Sequence, residues 1–95
     1  MAAGTRDDVG ARAQFLLGEC YLEQENYDKA ILEFRKVESL YAFPAWQSKA
    51  AYEMAQSLLR QDDREGARRQ FQRLVKSYPD TPAATAAKSA LKRLN

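Results

Sequence analysis

Residues 14–34 read QFLLGECYLEQENYDKAILEF, and residues 51–71 read AYEMAQSLLRQDDREGARRQF. The second stretch begins 37 residues after the first, and the two align without a gap. Between residues 13–41 and 50–78 six identical residues recur: Ala13, Leu22, Gln24, Ala30, Phe34 and Tyr41 return as Ala50, Leu59, Gln61, Ala67, Phe71 and Tyr78. A repeat of this length is typical of solenoids, in which each unit completes the apolar core of its neighbour.

The composition predicts one small globular domain. The chain has 95 residues, of which 45% are apolar and 29% charged. It has no apolar run long enough to cross a membrane, and residues 1–10 lack the apolar stretch of a signal peptide. The sequence leaves two compartments open: the cytoplasm as written, or the periplasm or cell envelope if an export signal has been removed.

Charge is divided unevenly along the chain, although the net charge is only +2. Residues 1–44 carry five Lys/Arg against eight Asp/Glu, whereas residues 45–95 carry ten against five. An acidic half joined to a basic half could attract an acidic partner, or a second copy of the chain arranged head to tail.

Helical periodicity, interrupted by turn and cap residues, predicts an all-α chain. We expect helices over about 8–24, 27–41, 44–60, 64–78 and 82–95, joined by short turns that make neighbours antiparallel. The expected caps are Asp7 or Asp8, Asn26, Asp62–Asp63 and Thr81, and Pro44 and Pro82 suit first helical turns.

These helices predict two helical hairpins plus a C-terminal capping helix. Residues 9–95 would form a single domain, after a flexible N-terminus of residues 1–8. Within it, repeat 1 covers about 11–44, repeat 2 about 45–81 and the capping helix about 82–94. The predicted core of the last four helices is Ala30, Ile31, Phe34, Val37, Leu40, Ala51, Met54, Ala55, Leu58, Ala67, Phe71, Leu74, Val75, Ala84, Ala87, Ala90, Leu91 and Leu94.

The repeated residues resemble the tetratricopeptide repeat (TPR). The first unit carries the resemblance in Leu17–Gly18, Tyr21, Ala30 and Phe34, and the second in Met54–Ala55, Leu58, Ala67, Phe71 and Pro79. Two features depart from the family: Gln14 and Ala51 replace a large aromatic, and Pro44 comes two residues late, in a unit of 37 residues rather than about 34. The resemblance implies a right-handed α-superhelix that binds other proteins.

A bacterial subset of the family is similar in its ending. Tyr78-Pro79-Asp80-Thr81-Pro82 followed by an Ala-rich helix resembles the repeat domains of the Tol–Pal envelope coordinator and of the outer-membrane assembly lipoproteins.

In TPR proteins the first helix of each pair lines a concave groove that holds a peptide or protein segment. The resemblance therefore predicts a partner-binding groove lined by Arg12, Phe15, Glu19, Glu23, Lys49, Tyr52, Gln56, Arg60 and Arg93, together with Ala86 and Ser89. Phe15 and Tyr52 are the favoured aromatic anchors, each worth about 2 kcal/mol or more if they touch a partner. The alternative is that both rings are ordinary core residues.

One TPR subset grips a terminal carboxylate with Lys and Asn on its first helix. Phe15 and Glu19 occupy those two places here, and Glu19 would repel a carboxylate. The sequence therefore disfavours a chaperone-tail clamp.

The sequence has few residues suited to catalysis or to metal binding. The chain has no His, and its single cysteine, Cys20, corresponds to Ser57 in the second unit. We expect no enzyme activity, no metal and no cofactor. The basic stretch of the fourth helix, Arg64, Arg68, Arg69, Arg73 and Lys76, is interpreted as a solvated outer face, because aromatic residues are not interleaved with it as nucleic-acid binding would favour.

The predicted partner is a protein or peptide. The alternative function is self-association into a homo-oligomer through the C-terminal helix, with Leu91 and Leu94 packing against another copy.

Overall fold

The computed structural model describes residues 7–94, which form five helices and no strand. The helices are α1 (Asp8–Glu23), α2 (Tyr27–Leu40), α3 (Pro44–Arg60), α4 (Arg64–Ser77) and α5 (Pro82–Leu94). They confirm the predicted all-α repeat architecture, with every helix end within one residue of its expected position. The predicted flexible N-terminus falls mostly on residues 1–6, which lie outside the described residues, whereas Asp7 and Asp8 begin α1.

Side-chain caps hold three of the helix starts. The Asp7 carboxylate accepts a hydrogen bond from the Gly10 amide (2.9 Å), and Asp63 accepts one from Gly66 (2.8 Å). The Thr81 hydroxyl accepts from the amide of Ala84 at 3.1 Å.

The prediction that Asn26 caps α2 with its side chain is wrong, since that side chain makes no capping hydrogen bond. The turn before α2 is closed by the backbone instead. The Asn26 amide donates to the Tyr21 carbonyl (2.9 Å), with Glu25 in the left-handed region at φ 60°. The second unit repeats this turn, with Asp62 at φ 64° and the Asp63 amide donating to Leu58 (2.9 Å).

Two apolar clusters share α3 as their common wall. The first joins Phe15, Leu22, Ala30, Phe34 and Val37 of the first hairpin to Ala50 and Met54 of α3. The second joins the opposite side of α3, Ala51 and Ala55, to Ala67, Phe71 and Leu74 of α4 and to Ala84, Ala87, Ala90 and Leu94 of α5. Of the predicted core, Ile31, Leu40, Leu58, Val75 and Leu91 are only half-buried.

Each hairpin closes around a small residue opposite a phenylalanine. A Cβ atom built on Gly18 would lie 2.6 Å from the fully buried ring of Phe34, so α1 and α2 approach as closely as glycine allows. Ala55 and Phe71 take the same positions in the second hairpin, and both are fully buried.

Polar contacts tie the second hairpin to the first. Arg73 forms an ion pair with Glu38 (2.6 Å), and the Tyr78 hydroxyl donates to the same carboxylate at 2.7 Å. The Gln61 amide donates to Asp28 at 2.8 Å. Each helix contacts the next one along the chain, and α3 also contacts both α1 and α5.

Candidate protein-binding groove

The helices α1, α3 and α5 form one side of the molecule, here called the groove face, and it contains two pockets. The α1–α3 pocket, of about 430 Å³, is lined by Leu16, Glu19, Cys20, Leu22, Glu23 and Arg60. The α3–α5 pocket, of about 320 Å³, is lined by Ala45, Ser48, Lys49, Tyr52, Pro82, Ala83 and Ala86. The groove face therefore offers one charged recess and one apolar recess.

The α3–α5 pocket exists because a large residue in one repeat becomes small in the next. In the first unit the ring of Phe15 is covered by Trp46 of α3, with ring centroids 5.5 Å apart. The residue 37 positions after Trp46 is Ala83, and it stands beside Tyr52, the counterpart of Phe15. An alanine methyl cannot fill the space of an indole, so one side of the Tyr52 ring remains open.

Tyr52 is held rigidly at this opening. Its ring packs against Phe71 with centroids 5.5 Å apart, and its hydroxyl accepts a hydrogen bond from the Gln56 amide at 2.8 Å. Lys49 stands at the rim with its ammonium 4.8 Å from the Trp46 ring centroid. A fixed aromatic wall with small residues opposite is the geometry that accommodates an apolar side chain of a partner.

The α1–α3 pocket is acidic. Glu19 and Glu23 come from α1, and Arg60 from the end of α3 supplies the opposite charge. Burial raises the pKa of the neighbouring Glu53 above its usual range, the Glu19 carboxylate raises it further, and Arg60 lowers it. Carboxylates that approach one another from two helices favour a basic group between them.

The structure places Phe15 differently from the expected anchor position. Phe15 is only 7% exposed, and its ring packs against Phe34 (centroids 5.3 Å apart) as well as Trp46. The expectation that Phe15 is an aromatic anchor open to a partner is wrong, because Trp46 of the following unit covers its ring. Phe15 is a core residue, which is the alternative that the sequence left open.

The predicted groove residues separate into three groups. Glu19, Glu23 and Arg60 meet in the α1–α3 pocket, and Lys49, Tyr52 and Ala86 meet in the α3–α5 pocket. Arg12, Ser89 and Arg93 are exposed, Gln56 is half-buried, and none of these four lines either pocket.

Sequence reasoning missed several lining residues. Helical spacing could have found two of them, since Leu16 lies four residues after Arg12 and Ser48 lies four before Tyr52. Ala83 could not be found in this way, because its importance lies in the volume it leaves empty beside Tyr52.

The basic stretch of α4 is partly structural. Arg64 and Arg68 donate to the Leu94 carbonyl at 3.2 and 2.8 Å, and Arg73 pairs with Glu38. Arg64 and Arg73 are exposed, as a solvated outer face predicts, but all three side chains also form hydrogen bonds that reach α5 or α2.

Residues 7–94 lack two further kinds of feature. No helix there combines the length and the apolar character that crossing a bilayer requires. Over the same residues, no group of three or more His, Cys, Asp or Glu side chains is arranged to hold a metal ion.

A family model described as YfiO, outer membrane lipoprotein, matches residues 8–88. Searches of curated proteins and of solved structures found no match to the chain. The family match agrees with the resemblance to outer-membrane assembly lipoproteins, while the resemblance to the Tol–Pal coordinator stays a prediction. Since the match runs from the first residue of α1 into α5, the chain belongs to the YfiO family of outer membrane lipoproteins, a family of TPR-like, protein-binding helical repeats.

Proposed function

We propose that the chain is a non-catalytic binding module that holds a peptide or protein segment on its groove face. The observation that carries the proposal is the α3–α5 pocket, an apolar recess with the held ring of Tyr52 as one wall. Such a recess receives a single apolar side chain of a partner, and burying one typically contributes about 1.5–3 kcal/mol.

The partner segment also carries a basic group. Glu19 and Glu23 in the α1–α3 pocket, with Glu53 beside them, outnumber Arg60, so a Lys or Arg would gain an ion pair there. The segment that fits this surface combines an apolar side chain with a cation, and it carries no carboxylate where it meets the α1–α3 pocket.

The family description supports a setting at the outer membrane for this interaction. We propose the cell envelope as the compartment. Fractionation of the source cells, with detection by an antibody to the chain, would find it with the envelope fractions, and recovery in the cytosol alone would contradict this.

The alternative of self-association through Leu91 and Leu94 has less support. Leu94 is 7% exposed within the α3–α4–α5 cluster, and Leu91 is half-buried against the same cluster. Both side chains are used within the chain. A sedimentation measurement giving a dimer that Leu94→Glu dissociates would restore this alternative.

The experiment on the groove uses a substitution that copies the first unit. Ala83→Trp places the counterpart of Trp46 over Tyr52 and should close the pocket without removing a core contact. Capture of partners from extracts of the source cells is compared for the parent, Ala83→Trp and Leu32→Ala. Leu32, 48% exposed on α2, is the matched control outside both pockets.

The proposal expects a protein that is held by the parent and by Leu32→Ala and lost by Ala83→Trp. Circular dichroism must show equal helicity in the three proteins. Capture of the same proteins by all three would contradict binding in the α3–α5 pocket.

A further inference from the structure

One side of α1 is apolar and exposed. Val9 is 74% exposed and Leu17 is 42% exposed, and Ala13 and Cys20 between and beyond them are also exposed. The spacing of these four residues places them along one stripe of the helix. We call this stripe the leading face.

The second unit shows how the same positions look when they are covered. The counterparts of the four residues, 37 positions later, are Trp46, Ala50, Met54 and Ser57. Ala50 and Ser57 are fully buried, Met54 is 4% exposed, and Trp46 is half-buried. Ala50 and Met54 join Phe34 and Val37 of α2 in the first apolar cluster, so these positions of α3 serve to pack one hairpin onto the preceding one.

The polar contacts around that packed interface also have counterparts beside the leading face. Gln61, Arg73 and Tyr78 each donate to a carboxylate of the preceding hairpin: Gln61 to Asp28 (2.8 Å), and Arg73 and Tyr78 to Glu38 (2.6 and 2.7 Å). Their equivalents in the first unit are Gln24, Lys36 and Tyr41. The first unit thus repeats the donors as well as the apolar residues, with conservative changes.

We propose that the leading face is a docking site for a helical hairpin with the surface chemistry of this chain's own α1–α2. The second helix of that hairpin carries apolar residues at the places of Phe34 and Val37. It carries carboxylates at the places of Asp28 and Glu38, where Gln24, Lys36 and Tyr41 would meet them. Cys20 also lines the α1–α3 pocket, but Val9, Ala13 and Leu17 line neither pocket of the groove face. Docking of a hairpin here goes beyond the function proposed for the groove face.

A second copy of the chain does not have this chemistry available. Its own Phe34, Val37 and Glu38 are already engaged by α3 and α4. The side of α5 turned away from α4 offers Thr85, Ser89 and Lys92, all exposed and none apolar or acidic. Because this side of α5 is polar and carries a lysine in place of a carboxylate, head-to-tail stacking of two copies is disfavoured in both polarity and charge.

The test supplies the hairpin in register. A copy of residues 7–43 is placed directly before Asp7, so that the added hairpin stands 37 residues ahead of the first one. The added copy carries Cys20→Ser, which leaves one thiol, the original Cys20. That thiol is exposed in the parent chain, whereas its counterpart Ser57 is fully buried beneath the first hairpin.

The expected result is protection of Cys20 and a higher melting temperature. We expect the rate of alkylation by a maleimide to fall roughly tenfold or more relative to the parent, because labelling would require opening of the docked hairpin. A Cys20 that reacts at the parental rate in a helical extended chain would overturn the proposal.

Leu17→Glu in the original unit provides the matched control. Since Leu17 is 42% exposed, this change should leave the parent's melting temperature nearly unchanged. In the extended chain it should restore fast labelling, because a carboxylate would then face the Phe and Val of the added hairpin. Protection that survives Leu17→Glu would also overturn the proposal, because it would place the added hairpin elsewhere.

Discussion

The hairpins α1–α2 and α3–α4 share a fold but not their surroundings. The second hairpin packs against α1–α2 on one side and against α5 on the other, whereas, within residues 7–94, the first packs on one side only. Leu17 is accordingly 42% exposed while its counterpart Met54 is 4% exposed. Equivalent residues in a repeat therefore take their burial, and with it their role, from what lies beside the unit.

The largest expected effect contrasts the two buried phenylalanines. Phe34 and Phe71 are both fully buried, and truncation of either to alanine should cost about 3–5 kcal/mol. We expect Phe71→Ala to cost more, because the hairpin that it closes also supports α5. Urea unfolding followed by circular dichroism measures both, and a larger loss for Phe34→Ala would contradict the central place of the second hairpin.

The next prediction concerns Trp46 and Ala83, the equivalent residues whose difference in size leaves the α3–α5 pocket open. Trp46→Ala should cost roughly 2 kcal/mol, because it uncovers Phe15 and removes the Trp46–Asp8 hydrogen bond of 2.6 Å. Ala83→Trp should leave stability unchanged or raise it, since it fills an existing recess. Thermal unfolding compares the two, and a strongly destabilised Ala83→Trp would mean that the pocket cannot hold an indole.

A third contrast concerns the small residue of each hairpin. Gly18→Ala should cost roughly 1–2 kcal/mol, because the overpacking against the buried Phe34 ring exceeds the gain of about 1 kcal/mol in helix propensity. Ala55→Gly should cost about 1 kcal/mol from propensity alone. If Gly18→Ala were to stabilise the chain in urea unfolding, the close approach of α1 and α2 would be wrong.

The smallest effect depends on pH and on the link between the hairpins. The pKa of Tyr78 is raised to about 12, chiefly because the phenol is partly buried and also because it donates a hydrogen bond to Glu38. Its value in the unfolded chain is about 10, so the folded state favours the protonated phenol. The stabilisation is present below pH 10 and is lost as the pH rises towards about 12.

Tyr78→Phe should therefore lower the free energy of unfolding by about 1 kcal/mol at neutral pH. It should also abolish the part of the stability loss at alkaline pH that comes from ionisation of Tyr78. Tyr41→Phe, at the equivalent place in the first unit, is the matched control and should keep it. Urea unfolding at several pH values from 9 to 12 would decide the point. If stability depended on alkaline pH identically in the parent and in Tyr78→Phe, the stabilising role of the Tyr78–Glu38 hydrogen bond would be contradicted.

The sequence predicted the helices more accurately than the exposure of their side chains. Pro44, Pro82, Asp63 and Thr81 act through local backbone chemistry, so the starts of α3, α4 and α5 could be predicted from the residues beside them. Asn26 does not cap α2 with its side chain, because backbone hydrogen bonds close this turn instead.

The candidate site was only partly predictable for a different physical reason. Phe15 and Tyr52 occupy equivalent places, and the alignment gave them the same role. Their exposure is set by Trp46 and Ala83, which come from the following unit in each case. Periodicity identifies which side of a helix faces a neighbour, but the size of that neighbour's side chain decides whether a pocket remains.

The most direct test of the central claim is a site-specific photocrosslink in living source cells. A benzophenone side chain is placed at Ala86, in the α3–α5 pocket, and separately at Leu32, outside both pockets. We expect one or a few discrete crosslinked proteins from position 86 and none of these from position 32. No crosslinked protein from position 86, or the same products from both positions, would contradict binding at the groove face.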